Sequence, residues 1–292
     1  MRYRIRHKTA YRYSEPASLS LNELFLQPRE TADQKVIQYD LGIQPEPQYL
    51  RRRTDFFGNS VQLFMVQHPH DTLTVTAASI VETAMPVGPD PDLTPPWETV
   101  AGRLSVPGQQ TDLDTCQFVF ASPLVTISPA VGDFARPSFP QGIPVLAGAM
   151  QLMERIFTEF TYDKSATSID TAVDQVLVAR KGVCQDFAHL MISCLRCLGL
   201  PARYVSGYLE TKPPPGKPKL IGADASHAWV SLYVPDAGWV DLDPTNNLMP
   251  GENHITLGWG RDYGDVTPVK GVVMGGGIHK LSVSVDVAQA VS

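Results

Sequence analysis

A glycine followed by a long helical repeat constrains this sequence more than any other feature. Gly182 interrupts the preceding segment, and apolar residues then recur at the i, i+3, i+4 and i+7 spacing of an amphipathic helix. Gly199 and Pro201 follow as a C-cap and a stop signal. The pattern predicts a helix over residues 184–198, anchored inside a domain by an apolar stripe of Phe187, Leu190, Met191, Cys194, Leu195 and Leu198.

Cys184 is the first residue of this predicted helix, about one turn before the apolar stripe. Free backbone N–H groups and the positive end of the helix dipole favour a thiolate there, and the thiolate is the nucleophile. The alternative is a buried structural cysteine, which suits Cys194 and Cys197 better. Their C-x-x-C spacing lies near the C-terminal end of the helix and has no second pair, so we interpret it as core packing.

A cysteine nucleophile needs a base, and a third group must orient that base. His189 is nearest in sequence, but five residues along a helix rotate its side chain about 140° away from Cys184. We therefore interpret His189 as a structural histidine. His227 opens a predicted strand after a loop rich in Gly, Asp and Ser, where a fixed backbone presents an accessible ring. The sequence favours His227 as the base.

The orienting group must accept a hydrogen bond from the far nitrogen of the imidazole. Asp241 and Asp243 lie two residues apart on one face of a short predicted strand. Asp243 precedes Pro244, which ends strand pairing and leaves the carboxylate at the strand terminus. We favour Asp243, with Asp241 or Asn246 as alternatives. The other interpretation of Asp243 is an aspartate that caps the turn before the proline.

Composition limits which classes of partner and which cellular compartment are expected. The chain of 292 residues has a formal net charge of −6, which argues against nucleic acid as a main partner. No apolar stretch reaches the ~18 residues of a membrane span, and the N-terminus has no signal-peptide core. The only dense basic run, Arg51 to Arg53, is expected at a solvated hairpin end. Four cysteines do not make a disulfide framework, so we expect a cytoplasmic location.

The chain divides by composition into three parts. Residues 1–84 carry alternating and β-branched runs around a hairpin turn at residues 55–59. Residues 85–96 hold five prolines and are expected to be a linker. Residues 97–292 are assigned to a catalytic core with a C-terminal β segment. This core contains predicted helices at 143–160 and 168–178, predicted strands at 202–210, 227–234 and 238–243, a surface loop at 212–219 and a closing strand at 280–287.

Four blocks in order resemble the transglutaminase-like superfamily. They are residues 182–189 (GVCQDFAH), 199–208 (GLPARYVSGY), 227–229 (HAW) and 238–245 (GWVDLDPT). Residues 1–83 are similar to the β-rich N-terminal domain of a bacterial subgroup, and residues 260–266 (GRDYGDV) are similar to its tail. The resemblance implies an α+β fold: an antiparallel β-sandwich-like domain, followed by a papain-like core whose nucleophile helix packs on an antiparallel sheet.

The same resemblance implies a Cys-His-Asp triad of Cys184, His227 and Asp243. The thiolate would attack the amide carbonyl of a peptide bond or a glutamine side chain, and a thioester would then pass to water or to an amine. A protein, peptide or amide substrate is the expected partner. No cofactor, metal, nucleic acid or membrane partner is expected.

Two alternatives stay open at this stage. One is a catalytically idle binding or scaffold module with the same fold. The other is a metal site built from Cys184, His227 and Asp243, since one soft and two harder ligands suit zinc. The oligomeric state is left open.

Overall fold

Strands dominate the N-terminal part of the chain. The computed structural model describes residues 1–105, 110–210 and 226–290, and the segment up to Thr83 forms antiparallel strands. They are β1 (Arg2–Leu24), β2 (Gln34–Gln44), β3 (Tyr49–Thr54), β4 (Ser60–Val66) and β5 (His70–Thr83), in the spatial order β2-β5-β1-β4-β3. The β-rich character expected from the sequence is confirmed.

Strand β1 is long enough to pair with two neighbours along one edge. Its first half pairs with β5 and its second half with β4, and the register shifts between Arg12 and Ala17. The period-two alternation of side chains along β1 determines which of its faces is buried. Tyr3, Ile5 and His7 are buried, whereas the cationic residues between them are exposed.

The predicted hairpin turn joins β3 to β4. The Asp55 amide donates to the carbonyl of Asn59 over 3.0 Å, and Gly58 has a φ of +79°, a conformation that favours glycine. The basic run on β3 is exposed, and Arg53 forms an ion pair with Glu23 at 2.6 Å. The expected solvated position of these arginines is confirmed.

Helices build the central part of the chain. Those described are α1 (Trp97–Ser105), α2 (Gln110–Cys116), α3 (Pro129–Ala135), α4 (Val145–Glu159), α5 (Val173–Ala179) and α6 (Cys184–Cys197). Helices α4 and α5 lie where the sequence predicted helices. The short strands β6 (Thr161–Tyr162) and β7 (Lys181–Gly182) pair in parallel beside them. Within the described ranges, no helix combines the length and apolarity that a bilayer crossing requires.

Helix α6 is the centre of the core. Its predicted stripe is buried except for the half-buried Leu198, and burial extends around all sides from Asp186 to Arg196. Helices α3, α4 and α5 cover one side of α6, while strands of the second sheet cover the other. The buried Arg196 guanidinium is satisfied by carbonyls, including 2.8 Å to Ala202 and 2.7 Å to Arg261. An amphipathic stripe was predicted; the structure shows a helix enclosed by both layers.

The second sheet carries the strands that the chemistry needs. It consists of β8 (Ala202–Leu209), β9 (Ser226–Val234), β10 (Gly238–Leu242) and β11 (His254–Gly260), all antiparallel, in the order β10-β9-β8-β11. The three strands predicted in this region are confirmed, whereas β11 was not predicted. The predicted loop at 212–219 lies outside the described residues.

The C-terminal strands correct one assignment. Strands β12 (Val269–Gly275) and β13 (His279–Gln289) pair with the second edge of β1, not with the second sheet. The closing β segment therefore belongs to the N-terminal sheet, and the expected core of residues 97–292 is wrong in that respect. The physical reason is that β1 offers a long free edge, and unpaired edges take up strands from any part of the chain.

The two sheets meet through side-chain amides that continue the ladder of β11. The Gln34 amide donates to the Thr256 carbonyl and accepts from the Thr256 amide, both at 2.8 Å. Asn59 does the same for Trp259, at 2.8 and 3.0 Å. These contacts cover the outer edge of β11 and attach the N-terminal sheet to the sheet that carries the candidate site.

Candidate active site

Cys184 begins helix α6 and is partly buried. The turn before it is held by Asp186, whose Oδ2 accepts from the Val183 amide at 2.8 Å and from the Thr167 hydroxyl at 2.6 Å. Gly182 is required by close packing, because a Cβ there would lie 2.8 Å from the Asp186 side chain. The local sequence thus places the sulfur at a rigid helix N-terminus, as expected.

His227 lies near the start of β9 and reaches the end of β10. Its Nε2 is 2.7 Å from Asp243 Oδ2. A carboxylate only accepts, so Nε2 carries the proton of this bond and Nδ1 is left for the second partner of the ring, Cys184. Burial disfavours the charged ring, but the hydrogen bonds with Asp243 and Cys184 outweigh it and raise the pKa of His227 to about 10.

The Asp243 carboxylate is fully buried and accepts five hydrogen bonds. Their donors are the rings of His227 and His254, the side-chain amide of Asn246, and the backbone N–H groups of Thr245 and Asn246. Burial raises the pKa of Asp243, yet the bonds from the two histidines and Asn246 overcome it and hold the pKa far below the ordinary value. The buried carboxylate therefore stays ionised.

The structure brings Cys184, His227 and Asp243 together. It also shows what the alternatives, Asp241 and Asn246, contact. Asp241 points to Trp229, whose Nε1 donates to Asp241 Oδ2 at 2.8 Å. Asn246 supports the pair, with Nδ2 2.7 Å from Asp243 Oδ2 and 3.4 Å from His227 Nε2. The turn-cap interpretation of Asp243 also describes the structure, because Oδ1 accepts from the two amides that follow Pro244. One carboxylate thus caps the turn and contacts the imidazole.

His254 is the member of the site that sequence reasoning missed. It opens β11, is buried, and places Nε2 3.2 Å from Asp243 Oδ2. Its ring packs edge-on against Trp229, with centroids 5.3 Å apart. The only available signal was a histidine at a strand start, the same signal that favoured His227. No spacing distinguished it.

His189 lies elsewhere in the core. Its Nε2 accepts from the Tyr263 amide at 3.2 Å, and its ring lies 5.1 Å from that of Tyr204. Burial lowers the pKa of His189 to about 4, which keeps the ring neutral. The C-x-x-C cysteines are also in the core region: Cys194 contacts the Val131 carbonyl and Cys197 the Ser128 carbonyl.

Within the part of the chain that the structure describes, the ligand atoms that converge belong to a different set from the one proposed on sequence. Among the described residues, the group of three converging ligand atoms is His227, Asp243 and His254, within 4.8 Å of one another, and it does not include Cys184. The carboxylate oxygen lies 2.7 and 3.2 Å from the two ring nitrogens. These are hydrogen-bond lengths, and the arrangement is that of a proton-sharing cluster.

Two family models match the chain. The bacterial transglutaminase-like N-terminal region matches residues 3–82, and the transglutaminase-like superfamily model matches residues 138–244. The chain belongs to the transglutaminase-like superfamily.

Several relatives of this superfamily member are known. An uncharacterized protein of Mycobacterium tuberculosis is 41% identical over 297 residues, which cover 98% of this chain and 92% of the relative. A protein-glutamine gamma-glutamyltransferase of Pseudomonas aeruginosa is 32% identical over 122 residues, 41% of this chain and 18% of that protein. A candidate cysteine protease from Cytophaga hutchinsonii superposes with a TM-score of 0.76 at 20% identity, covering 100% of this chain and 91% of the other. This superposition shows a shared fold.

The superfamily match and the site overlap only in part. Residues 138–244 contain Cys184, His227 and Asp243, but they end before His254. The second histidine on the carboxylate therefore comes from the part of this superfamily member that follows the matched core.

Proposed function

We propose that this chain is a thiol enzyme that cleaves an amide or transfers its acyl group, with Cys184 as nucleophile, His227 as acid and base, and Asp243 as the orienting carboxylate. The observation that carries the proposal is the connected chain Cys184–His227–Asp243 at the N-terminus of α6. Nucleophile, base and orienting group within hydrogen-bond reach are the arrangement that nucleophilic catalysis requires.

The electrostatics support a protonated imidazolium beside the nucleophile. With its pKa raised to about 10, the His227 ring is protonated at neutral pH, and it faces a sulfur at the positive end of a helix dipole. The ionised Asp243 stabilises the charge on the ring from its other nitrogen. The proton that the leaving group needs is thus stored on His227 before substrate binds.

The proposed reaction has two steps. In the first, Cys184 Sγ attacks the carbonyl carbon, His227 gives its proton to the amine nitrogen, the C–N bond breaks and a thioester remains. In the second, water or an amine attacks the thioester while His227 takes up its proton, and the thiolate is released. The backbone N–H of Cys184, in the first turn of α6, is a donor for the oxyanion.

The acyl donor is proposed to be a peptide bond or a glutamine side chain. The Pseudomonas aeruginosa relative, a protein-glutamine gamma-glutamyltransferase, supports the glutamine option. A cytoplasmic location stays a prediction from the sequence.

The test is to trap the thioester. The protein is incubated with a library of glutamine-containing peptides, with and without a primary amine, and the mass of the Cys184 peptide is followed. We expect an acyl adduct on Cys184, a product that carries either water or the amine, and neither in Cys184→Ala. An idle scaffold would show no adduct with any peptide, and turnover that persists in Cys184→Ala would place the chemistry elsewhere.

A further inference from the structure

Strand β13 forms an outer edge of the N-terminal sheet. It pairs with β1 in an unbroken register from His279, opposite Tyr13, to Gln289, opposite Tyr3. In the described part of the chain, no strand pairs with its other side. An edge of this kind presents backbone donors and acceptors to another strand.

The apolar face of β13 extends beyond the part that the second sheet covers. Val285 is fully buried, in a cluster with Tyr208 and Ile255 of the second sheet. Leu281 and Val283 point to the same face by period-two alternation, yet they are 51% and 52% exposed. This stretch therefore leaves apolar side chains in water directly beside a completed core.

The opposite edge of the sheet is protected, and β13 is not. Strand β3 carries three consecutive exposed arginines, and β2 has a register shift between Val36 and Gln38. Charges and bulges are the usual means by which edges avoid pairing. Between Lys280 and Asp286, β13 has neither a charge nor a register shift.

The charges at the two ends of this stretch each face β1. Lys280 lies opposite Arg12, and Asp286 lies opposite Arg6. Like charges directly opposite each other destabilise a strand pair. The ammonium of Lys280 would therefore be stabilised by a carboxylate on the side of β13 that faces away from β1.

We propose that β13 pairs with β13 of a second copy of this chain, antiparallel, with Val283 on the twofold axis. Lys280 then lies opposite Asp286 of the partner subunit, and by symmetry Asp286 lies opposite Lys280 of the partner subunit. Leu281 lies opposite Val285 of the partner subunit, on the apolar face. Moving the axis by one residue removes both charge pairs, so the charges select this register.

The dimer joins two sheets into one. The array β13-β1-β5-β2 of one copy continues into the same array of the other, and no free edge remains between Lys280 and Asp286. The exposed side chain of Val283 is covered by Val283 of the partner subunit, and that of Leu281 by Val285 of the partner subunit. The site at Cys184 contributes nothing to this pairing, so the inference is independent of the proposed function.

A charge exchange tests the partner and the register together. Sedimentation velocity across a concentration series is expected to show a dimer for the natural chain. Lys280→Asp or Asp286→Lys alone is expected to raise the dimer dissociation constant about tenfold or more, because two attractive pairs become repulsive. The double variant carrying both changes is expected to restore dimerisation. Lys35→Asp, an exposed charge reversal on β2, is the matched control and leaves the dimer intact.

A cysteine on the axis tests the geometry directly. Val283→Cys is expected to form a covalent dimer under mild oxidation, whereas Ser282→Cys, which would face Ser284 of the partner subunit, is not. Circular dichroism establishes that each variant is folded. Each of four results would overturn the proposal. They are a natural chain that is monomeric at every concentration, single charge reversals that leave the dimer unchanged, a double variant that does not recover the dimer, and crosslinking of Ser282→Cys in preference to Val283→Cys.

Discussion

Asp243 holds the imidazole of His227 through a 2.7 Å hydrogen bond between Oδ2 and Nε2. The bond joins the end of β10 to the start of β9, two strands that pair antiparallel. Because the carboxylate is buried and ionised, it fixes which ring nitrogen faces Asp243 and leaves the other for Cys184. The orientation of the His227 ring is therefore set by the pairing of β9 with β10.

Replacing that carboxylate by its neutral isostere tests this relationship. Asp243→Asn keeps the shape but removes the charge that stabilises the imidazolium, so the pKa of His227 is expected to fall from about 10 toward its ordinary value. We expect kcat to drop by about 100-fold, within the range for general acid–base catalysis. NMR titration of the His227 ring and steady-state kinetics measure the two effects. Asp241→Asn, on the neighbouring carboxylate that contacts Trp229, is expected to leave the His227 pKa unchanged.

The pH dependence of turnover follows from the same ring. Because the pKa of His227 is raised, the protonated form persists above pH 7 and is lost as the pH rises toward about 10. Turnover is therefore expected to stay high through neutral pH and to fall on the alkaline side. The rate of iodoacetamide labelling of Cys184 at neutral pH is expected to drop in His227→Ala, which removes the cation beside the sulfur. Unchanged labelling in that variant would contradict an ion pair.

The part of the site that could be predicted from sequence is the part encoded locally. Gly182 and the apolar spacing after it define the start of α6, and therefore the position of Cys184. His227 and Asp243 each stand at the end of a short strand, where the pattern itself marks an accessible side chain. Packing of α6 against β8 and β9 then brings the sulfur to them.

The missed features depend on contacts that are distant in sequence. His254 reaches Asp243 only because β11 pairs with β8, and that pairing leaves no mark in the spacing around residue 254. Likewise, β12 and β13 could have extended either sheet. Their choice of β1 rests on a free edge at the other end of the chain. Alternation predicts a strand but does not identify its neighbour.

His254 is expected to stabilise the site through Asp243. Removing it in His254→Ala deprives a buried carboxylate of a donor at 3.2 Å and opens space against Trp229. We expect the free energy of unfolding to fall by about 1–3 kcal/mol, measured by urea denaturation. His254→Gln keeps a donor and is expected to recover part of the loss. His68→Ala, at an exposed histidine in the turn between β4 and β5, is the control and is expected to change stability by less than about 0.5 kcal/mol.

Gly182 is expected to tolerate no side chain. In Gly182→Ala, the new Cβ would lie 2.8 Å from the Asp186 side chain, whose Oδ2 accepts from the Val183 amide. The turn before Cys184 must then shift, and we expect a loss of about 1–3 kcal/mol from overpacking together with reduced labelling of Cys184. Gly102→Ala is the matched control, because nothing lies within 4 Å of a Cβ at that position of α1. It is expected to raise stability slightly, since alanine favours a helix over glycine by about 0.5–1 kcal/mol. If both variants were equally stable and equally reactive, the turn at Gly182 would not be what positions the sulfur.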